Sequence, residues 1–377
     1  MPGKHTNPFI IQLTLSGLFS RLWCLLINKL QIFISLTFAW YCSCDYPVLY
    51  NLSISWHNRL IKCQKSLIIS PDSWFFTPSK GRQLKYRKDI DGLRALAVAV
   101  VVLFHLGCTW VKSGFLGVDI FFVISGYLIT LSIMANLDSQ CFSFKDFYLR
   151  RMRRILPALI FVLTISTIFA WLILLPKDLH RYSISLLSAI ASVSNLYFFY
   201  TLNFGYFSTD SSVIPLLHTW SLGIEEQFYL FWPLALSSIY RPHLKKRILA
   251  ACLGLMSLSV VFFYFKRSPE YYFFTLTRCF ELLFGCALAV YISNNNSISL
   301  SNKYLKDVLS IISLLLMLIP SLIISVIYPS IWIICCCLGA TLFIYLGSSQ
   351  EHTPLANKIL STMPFRAVGY ISYSLYL

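Results

Sequence analysis

The stretch G-F-L-G-V-D-I-F-F-V-I-S-G-Y-L-I, from Gly114 to Ile129, opens an apolar run that continues to Ile133 and holds one charge, Asp119. Such a run is long enough to cross a hydrocarbon core of about 30 Å as a helix. Gly114, Gly117 and Gly126 let a second helix approach closely. A carboxylate inside the run costs about 2.5–3.5 kcal/mol near the bilayer centre. Asp119 therefore needs a partner, and a His or Arg on the preceding apolar segment is the nearest kind. A helix N-terminal acid favoured by the dipole is the alternative.

The same pattern recurs along the chain. Of 377 residues 57% are hydrophobic and 12% charged, and the mean hydropathy is +0.68, so lipid must be the main solvent. Apolar segments run near 90–108, 115–135, 157–175, 183–200, 220–240, 248–265, 271–292, 307–327 and 329–346, and a last one begins near Arg366 and is cut at Leu377. The expected fold is all-α: a polytopic transmembrane helix bundle of about nine or ten membrane segments, one of them re-entrant. The brevity of the last segment implies that the natural chain continues beyond Leu377. Residues 1–85 read as a poorly specified N-terminal extension, because Arg21 and Lys29 interrupt the apolar stretch from Phe9 to Cys42; the membrane domain occupies 86–377.

The net charge of +16 lies in short basic runs between apolar segments, a positive-inside pattern rather than a nucleic-acid stripe. The clusters are Lys80, Arg82, Lys85, Arg87 and Lys88, then Arg150, Arg151, Arg153 and Arg154, then Arg241, Lys245, Lys246 and Arg247. If all three are cytoplasmic, the chain between 157 and 241 crosses an even number of times. Segment 183–200, with Ser183, Ser185, Ser188, Ser192, Ser194 and Asn195, is the weakest span and reads as re-entrant or interfacial, leaving 201–219 outside. The 12 cysteines include no C-x-x-C pair, and Cys335, Cys336 and Cys337 suit apolar packing, so neither a disulfide framework nor a metal site is expected.

Charges within the spans are the candidates for chemistry. Arg94 and His105 are 11 residues apart, which places them within about 20° of one helix face and ~16 Å apart along it. Taken alone, Arg94 could be a snorkelling anchor and His105 a packing residue. F-Y-L-R-R-M-R-R-I-L-P, from Phe147 to Pro157, places four Arg before a proline that would open the next helix; they suit an anionic cofactor or serve as a topology signal. Glu225, Glu226 and Gln227 stand at the mouth of a span, where the carboxylates could act as a base, orient a His or be structural acids. Arg278 and Glu281 are three apart and can pair within the bundle.

The motifs D-I-D-G-L-R-A-L-A from Asp89, F-H at Phe104 and His105, G-V-D-I-F-F-V-I-S-G-Y-L-I, F-Y-L-R-R-M-R-R-I-L-P, H-T-W-S-L-G-I-E-E-Q-F-Y and T-R-C-F-E-L-L-F-G resemble, in order, those of the acyltransferase-3 family of membrane O-acyltransferases, of the O-antigen and peptidoglycan acetylase type. The resemblance covers about residues 86 to 377. It implies a multi-pass protein of the bacterial inner membrane that moves an acyl group, usually acetyl, from cytoplasmic acyl-CoA to a hydroxyl of an envelope or surface glycan or a lipid-linked sugar, such as lipopolysaccharide or peptidoglycan. It also implies functional roles for Arg94, His105, Arg151 and Arg154, and an SGNH hydrolase-like domain or partner outside the membrane. On this reading Arg151 and Arg154 hold CoA phosphates, His105 acts as base or acyl carrier, and Asp119 or the Glu225 and Glu226 pair orients it. A transporter or flippase of a lipid-linked saccharide is the rival, because buried charges also mark substrate pathways. A truncated, inactive scaffold is a third reading.

Overall fold

The computed structural model describes residues 86–202, 206, 214–294, 302–349 and 352–377. The expected extension over 1–85 lies outside the described residues, as does most of the 201–219 segment expected to face outside. Thirteen α-helices and two short 3-10 turns make up the described chain, with no strand among the described residues. They are α1 Lys88–His105, α2 Leu116–Asp138, α3 Phe144–Ile173, α4 Pro176–Ile190, α5 Ser194–Thr201, α6 Thr219–Ile239, α7 Lys245–Phe265, α8 Thr275–Asn294, α9 Lys303–Leu322, α10 Ile331–Leu346, α11 Leu355–Leu360, α12 Met363–Tyr370 and α13 Ser372–Tyr376.

Among the described residues five helical segments are long and apolar enough to cross a membrane: Leu116–Asp138, Phe144–Ile173, Pro242–Phe265, Pro269–Asn294 and Lys303–Leu322, with Ile331–Leu346 apolar but shorter. The protein is thus an all-α, multi-pass membrane bundle. Helices α1 and α6 fall outside this set because they carry charged and polar residues, among them Asp91, Arg94, Glu225 and Glu226.

Helices α2 and α8 are central. Of their apolar stretches 67% and 72% are buried inside the bundle, against 22% for α7. The two cross where glycines remove side chains. A Cβ at Gly126 would strike the Leu282 carbonyl, and one at Gly285 the Val123 carbonyl. Around this crossing pack Leu93, Ala97, Phe122, Phe280, Cys336 and Phe343 from α1, α2, α8 and α10.

Helix α3 departs from the sequence expectation. It begins at Phe144, where the Ser143 hydroxyl accepts from the Asp146 amide at 3.3 Å, and Pro157 lies inside it. The four Arg are therefore carried on a helix that extends beyond the apolar core, not on a loop before a proline-opened helix. At 30 residues it is ~45 Å long, longer than a hydrocarbon core of about 30 Å, and the four Arg lie towards its N-terminal end.

Between α3 and α6 the chain makes a helical hairpin. Helix α4 folds back along α3, with Thr167 Oγ1 and the Tyr182 hydroxyl 3.0 Å apart. Helix α5 folds back along α4, with the Tyr197 hydroxyl donating to the Arg181 carbonyl at 3.3 Å. The turn is at Ser192, whose φ of 59° is left-handed. Its carbonyl accepts from Gln227 Nε2 at 3.1 Å, eight positions into α6, so the tip penetrates ~12 Å below the start of that helix. Polar contacts cover it: Gln227 Nε2 donates to Asn195 Oδ1 at 2.8 Å, and Thr275 Oγ1 donates to Gln227 Oε1 at 2.9 Å. After the hairpin, α6 runs back so that its far end lies beside the end of α2, where the Tyr240 hydroxyl donates to Asp138 at 2.6 Å and Lys245 Nζ is 3.5 Å from the same carboxylate.

The last apolar segment is not one helix from Arg366. It falls on two short helices, Met363–Tyr370 and Ser372–Tyr376, broken at Ile371, and a third short helix, Leu355–Leu360, precedes them. They pack on α1, where a Cβ at Gly369 would strike the Asp91 carbonyl and one at Gly92 the Leu360 carbonyl.

Candidate active site

The charged residues gather at two levels of the bundle. At the first level, Arg94 is buried on α1 with Nη1 3.4 Å from Asp91 Oδ1, and the Tyr86 hydroxyl donates to the other oxygen of Asp91 at 2.5 Å. Arg151 and Arg154 project from one face of α3, both within electrostatic reach of Arg94. Arg151 lies over the rings of Tyr229 at 5.5 Å and Phe147 at 5.8 Å. Three guanidinium groups thus converge from two helices, with Asp91 and Glu225 the nearby carboxylates.

Glu225 and Glu226 do not act as a pair. Adjacent residues on a helix point ~100° apart. Glu225 accepts hydrogen bonds from the hydroxyls of Ser125 and Tyr229 and lies near Arg151. Glu226 turns to the hairpin tip and accepts from the Ser192 hydroxyl. Neither touches His105, so the expectation that they orient it gives way to roles at the arginine cluster and the hairpin.

At the second level stands His105, the last residue of α1. Nδ1 is 2.9 Å from the Val101 carbonyl, which can only accept, so this nitrogen carries the hydrogen. The ring's lone pair is on Nε2, 3.2 Å from the Tyr206 hydroxyl. Burial pushes the Tyr206 phenol up to about 12, so it stays protonated and donates. Tyr206 in turn stacks on Tyr272, ring centres 4.7 Å apart.

Below that aromatic layer lies a buried charge group. Arg278 of α8 is 2.6 Å from Glu281 and 3.2 Å from Asp119, and all three side chains have 0% exposure. The guanidinium faces the rings of Tyr272, Trp220 and Tyr328 at 4.5, 5.2 and 5.6 Å. Asp119 is thus partnered by α8, not by a His or Arg of α1. It shares the face of α2 that carries Val123 and Gly126, which is the face turned to α8. Tyr272 and Trp220 intervene between this group and Tyr206.

Sequence reasoning misses Tyr206, the aromatic cage and His218. The last is the residue before α6, with its Nε2 buried. The H-T-W segment is visible in the sequence, but nothing in its spacing joins it to residue 105. Among the described residues no group of His, Cys, Asp or Glu is arranged to hold a metal ion.

The acyltransferase domain family matches residues 87–377. The peptidoglycan O-acetyltransferase OatA of Listeria monocytogenes is 36% identical over 310 residues, covering 78% of this chain and 49% of the relative. The O-acetyltransferase OatA of Staphylococcus aureus is 34% identical over 307 residues, covering 78% of this chain and 50% of the relative. The chain spans about half the length of these relatives. No solved structure matches it. With a family match over most of its length and the matched motifs gathered at two levels of one helix bundle, the chain belongs to the acyltransferase-3 family of membrane proteins.

Proposed function

We propose that the protein takes an acetyl group from acyl-CoA on the cytoplasmic side and transfers it to a hydroxyl of an envelope glycan on the outer side of the bacterial inner membrane. The observation that carries this reading is the polarity of α1. Its inner half meets Arg151 and Arg154 through Arg94, and its outer end presents the lone pair of His105 Nε2. The two levels are ~16 Å apart along the helix, a distance for an extended thiol arm to span with its phosphates left among the arginines. Guanidinium groups bind phosphate bidentately, which suits an anionic carrier. At the outer level an acyl thioester loses its C–S bond as the acceptor oxygen forms the new ester, and His105 handles either the acyl group or the acceptor proton. The name of the Listeria relative supports peptidoglycan as the acceptor.

The test is expression of the full chain in a host without such enzymes, with mass spectrometry of the cell-wall glycan. Acetyl esters that depend on His105 support the proposal. Acetyl-CoA that is never consumed by the purified protein, with lipid-linked saccharide moved across vesicles instead, would replace it by transport.

A further inference from the structure

His218 stands where α6 begins, next to Trp220 of the arginine cage. Its backbone carbonyl accepts from the Tyr376 hydroxyl at 3.2 Å, and that same hydroxyl lies 2.5 Å from the Ser221 hydroxyl. The residue is thereby pinned by α13. Its side chain is different: Nε2 is buried and has no hydrogen-bond partner among the described residues. A buried, unmatched ring nitrogen costs free energy that a ligand can return. His218 is also close to His105: Trp220, two residues further along, has its ring centre 6.1 Å from that of Tyr206, whose hydroxyl is 3.2 Å from His105 Nε2. Two imidazoles therefore serve one outer site, and they are in different states of engagement. His105 Nε2 receives the Tyr206 hydroxyl, whereas His218 Nε2 is unengaged among the described residues.

We propose that His218 is the residue that binds and deprotonates the acceptor hydroxyl, and that His105 is the acyl carrier. The inference rests on the acyltransferase reading of the site. In the first half, the Tyr206 hydroxyl gives up its hydrogen bond to His105 Nε2, and the freed lone pair attacks the thioester carbon; the N–C bond forms, the C–S bond breaks and CoA leaves as thiolate. In the second half, the acceptor oxygen attacks the same carbon; the new ester bond forms, the N–C bond breaks to return neutral His105, and the hydroxyl proton passes to His218 Nε2 and then to outer water. Tyr206 holds the His105 ring in the orientation needed for the first half. A site with only one histidine would have to assign both halves to the same nitrogen.

The experiment uses the purified full chain in detergent with acetyl-CoA, following free thiol, with muropeptides prepared from cell wall as the acceptor. Wild type should release a burst of thiol without acceptor and then turn over in proportion to muropeptide. His218→Gln should keep the burst and lose acceptor-driven turnover by at least ~100-fold, the effect of removing a general base, whereas His105→Ala should lose the burst itself. His218→Asn is the second variant, and each is scored only if its thermal unfolding midpoint matches wild type. The proposal is overturned if acceptor-driven turnover survives in a folded His218 variant, or if burst and turnover fall together there. Absence of any thiol release from wild type has a different meaning: it defeats the acyltransferase reading itself.

Discussion

Arg278 on α8 and Asp119 on α2 are 3.2 Å apart with neither side chain exposed, and Glu281 adds a second carboxylate to the same guanidinium. One cation thus holds two acids, and three aromatic rings exclude water from it. Removing the cation strands two buried acids. Arg278→Met should destabilise the protein by about 3–5 kcal/mol, seen as a lower unfolding midpoint in detergent. Arg278→Lys should recover only part, because a compact ammonium cannot reach both acids with a planar fork. Neutralising all three in Arg278→Met, Asp119→Asn, Glu281→Gln should recover most of the loss. A single Met variant as stable as wild type would show that the group does not hold the bundle together.

Arg151 and Arg154 should control use of the donor. Arg151→Ala and Arg154→Ala should raise KM for acetyl-CoA with a smaller change in kcat, and Arg154→Lys should restore only part because Lys lacks the bidentate fork. Titration of a fluorescent acyl-CoA against each variant measures this directly. Unchanged donor affinity in both would reduce the arginines to a topology signal.

His105→Ala should abolish transfer, and Tyr206→Phe should slow it less. The Tyr206 hydroxyl makes one neutral hydrogen bond to the ring, of a kind that contributes about 0.5–1.5 kcal/mol, so a loss of up to about tenfold is expected at intact donor affinity. Transfer that is retained in His105→Ala would remove this histidine from the chemistry.

If the hairpin of α4 and α5 does not cross the membrane, Arg241 and Lys303 share a side with Arg150. Single cysteines at Lys177 and Arg267 should react with a membrane-impermeant maleimide from outside intact cells, whereas cysteines at Arg241 and Lys303 should react only after the membrane is opened. Labelling of Arg241 from outside would mean that α4 and α5 count as a full crossing.

The crossing of α2 and α8 depends on absent side chains. Gly285→Leu would drive a branched side chain into the Val123 carbonyl and the Tyr127 amide, and should destabilise more than Gly254→Leu, where a Cβ meets nothing within 4 Å. Comparable melting of the two variants would argue against close backbone contact at Gly285.

The bundle is legible in the sequence because a membrane span is a matter of length and apolarity within one segment. A pair within a turn is legible too, as Arg278 with Glu281 at a spacing of three shows, whereas the pairing of Arg94 with Asp91 at the same spacing is found only in the structure. The partner of Asp119 is not legible, because it lies on another helix far along the chain, and nearness in sequence points to α1 instead. The start of α3 is obscured for a local reason. An arginine run before a proline looks like a loop and a first helical turn, yet Ser143 caps the helix earlier and Pro157 is tolerated inside it. Tyr206 is out of reach because the sequence around it carries no periodicity from which to orient a side chain.

The contact of α1 with α11 and α12 bears on how the protein is made. Asn357 Nδ2 donates to Asp89 at 2.9 Å, and Gly92 and Gly369 allow α1 and the last described helices to touch backbone to backbone. Helix α1 leaves the ribosome early among the described helices, yet residues 355–370 leave among the last. Until then the inner half of α1, with Asp89, Asp91 and Arg94, sits in the membrane with one side uncovered. During synthesis it must be shielded by lipid headgroups, by α2 or by an insertion factor, and the arginine cluster acquires its final shape only once residues 355–370 have been made. Nascent chains halted before residue 355 should therefore remain captive to the insertion machinery and be cleared by membrane proteases, although most of their helices are already in place.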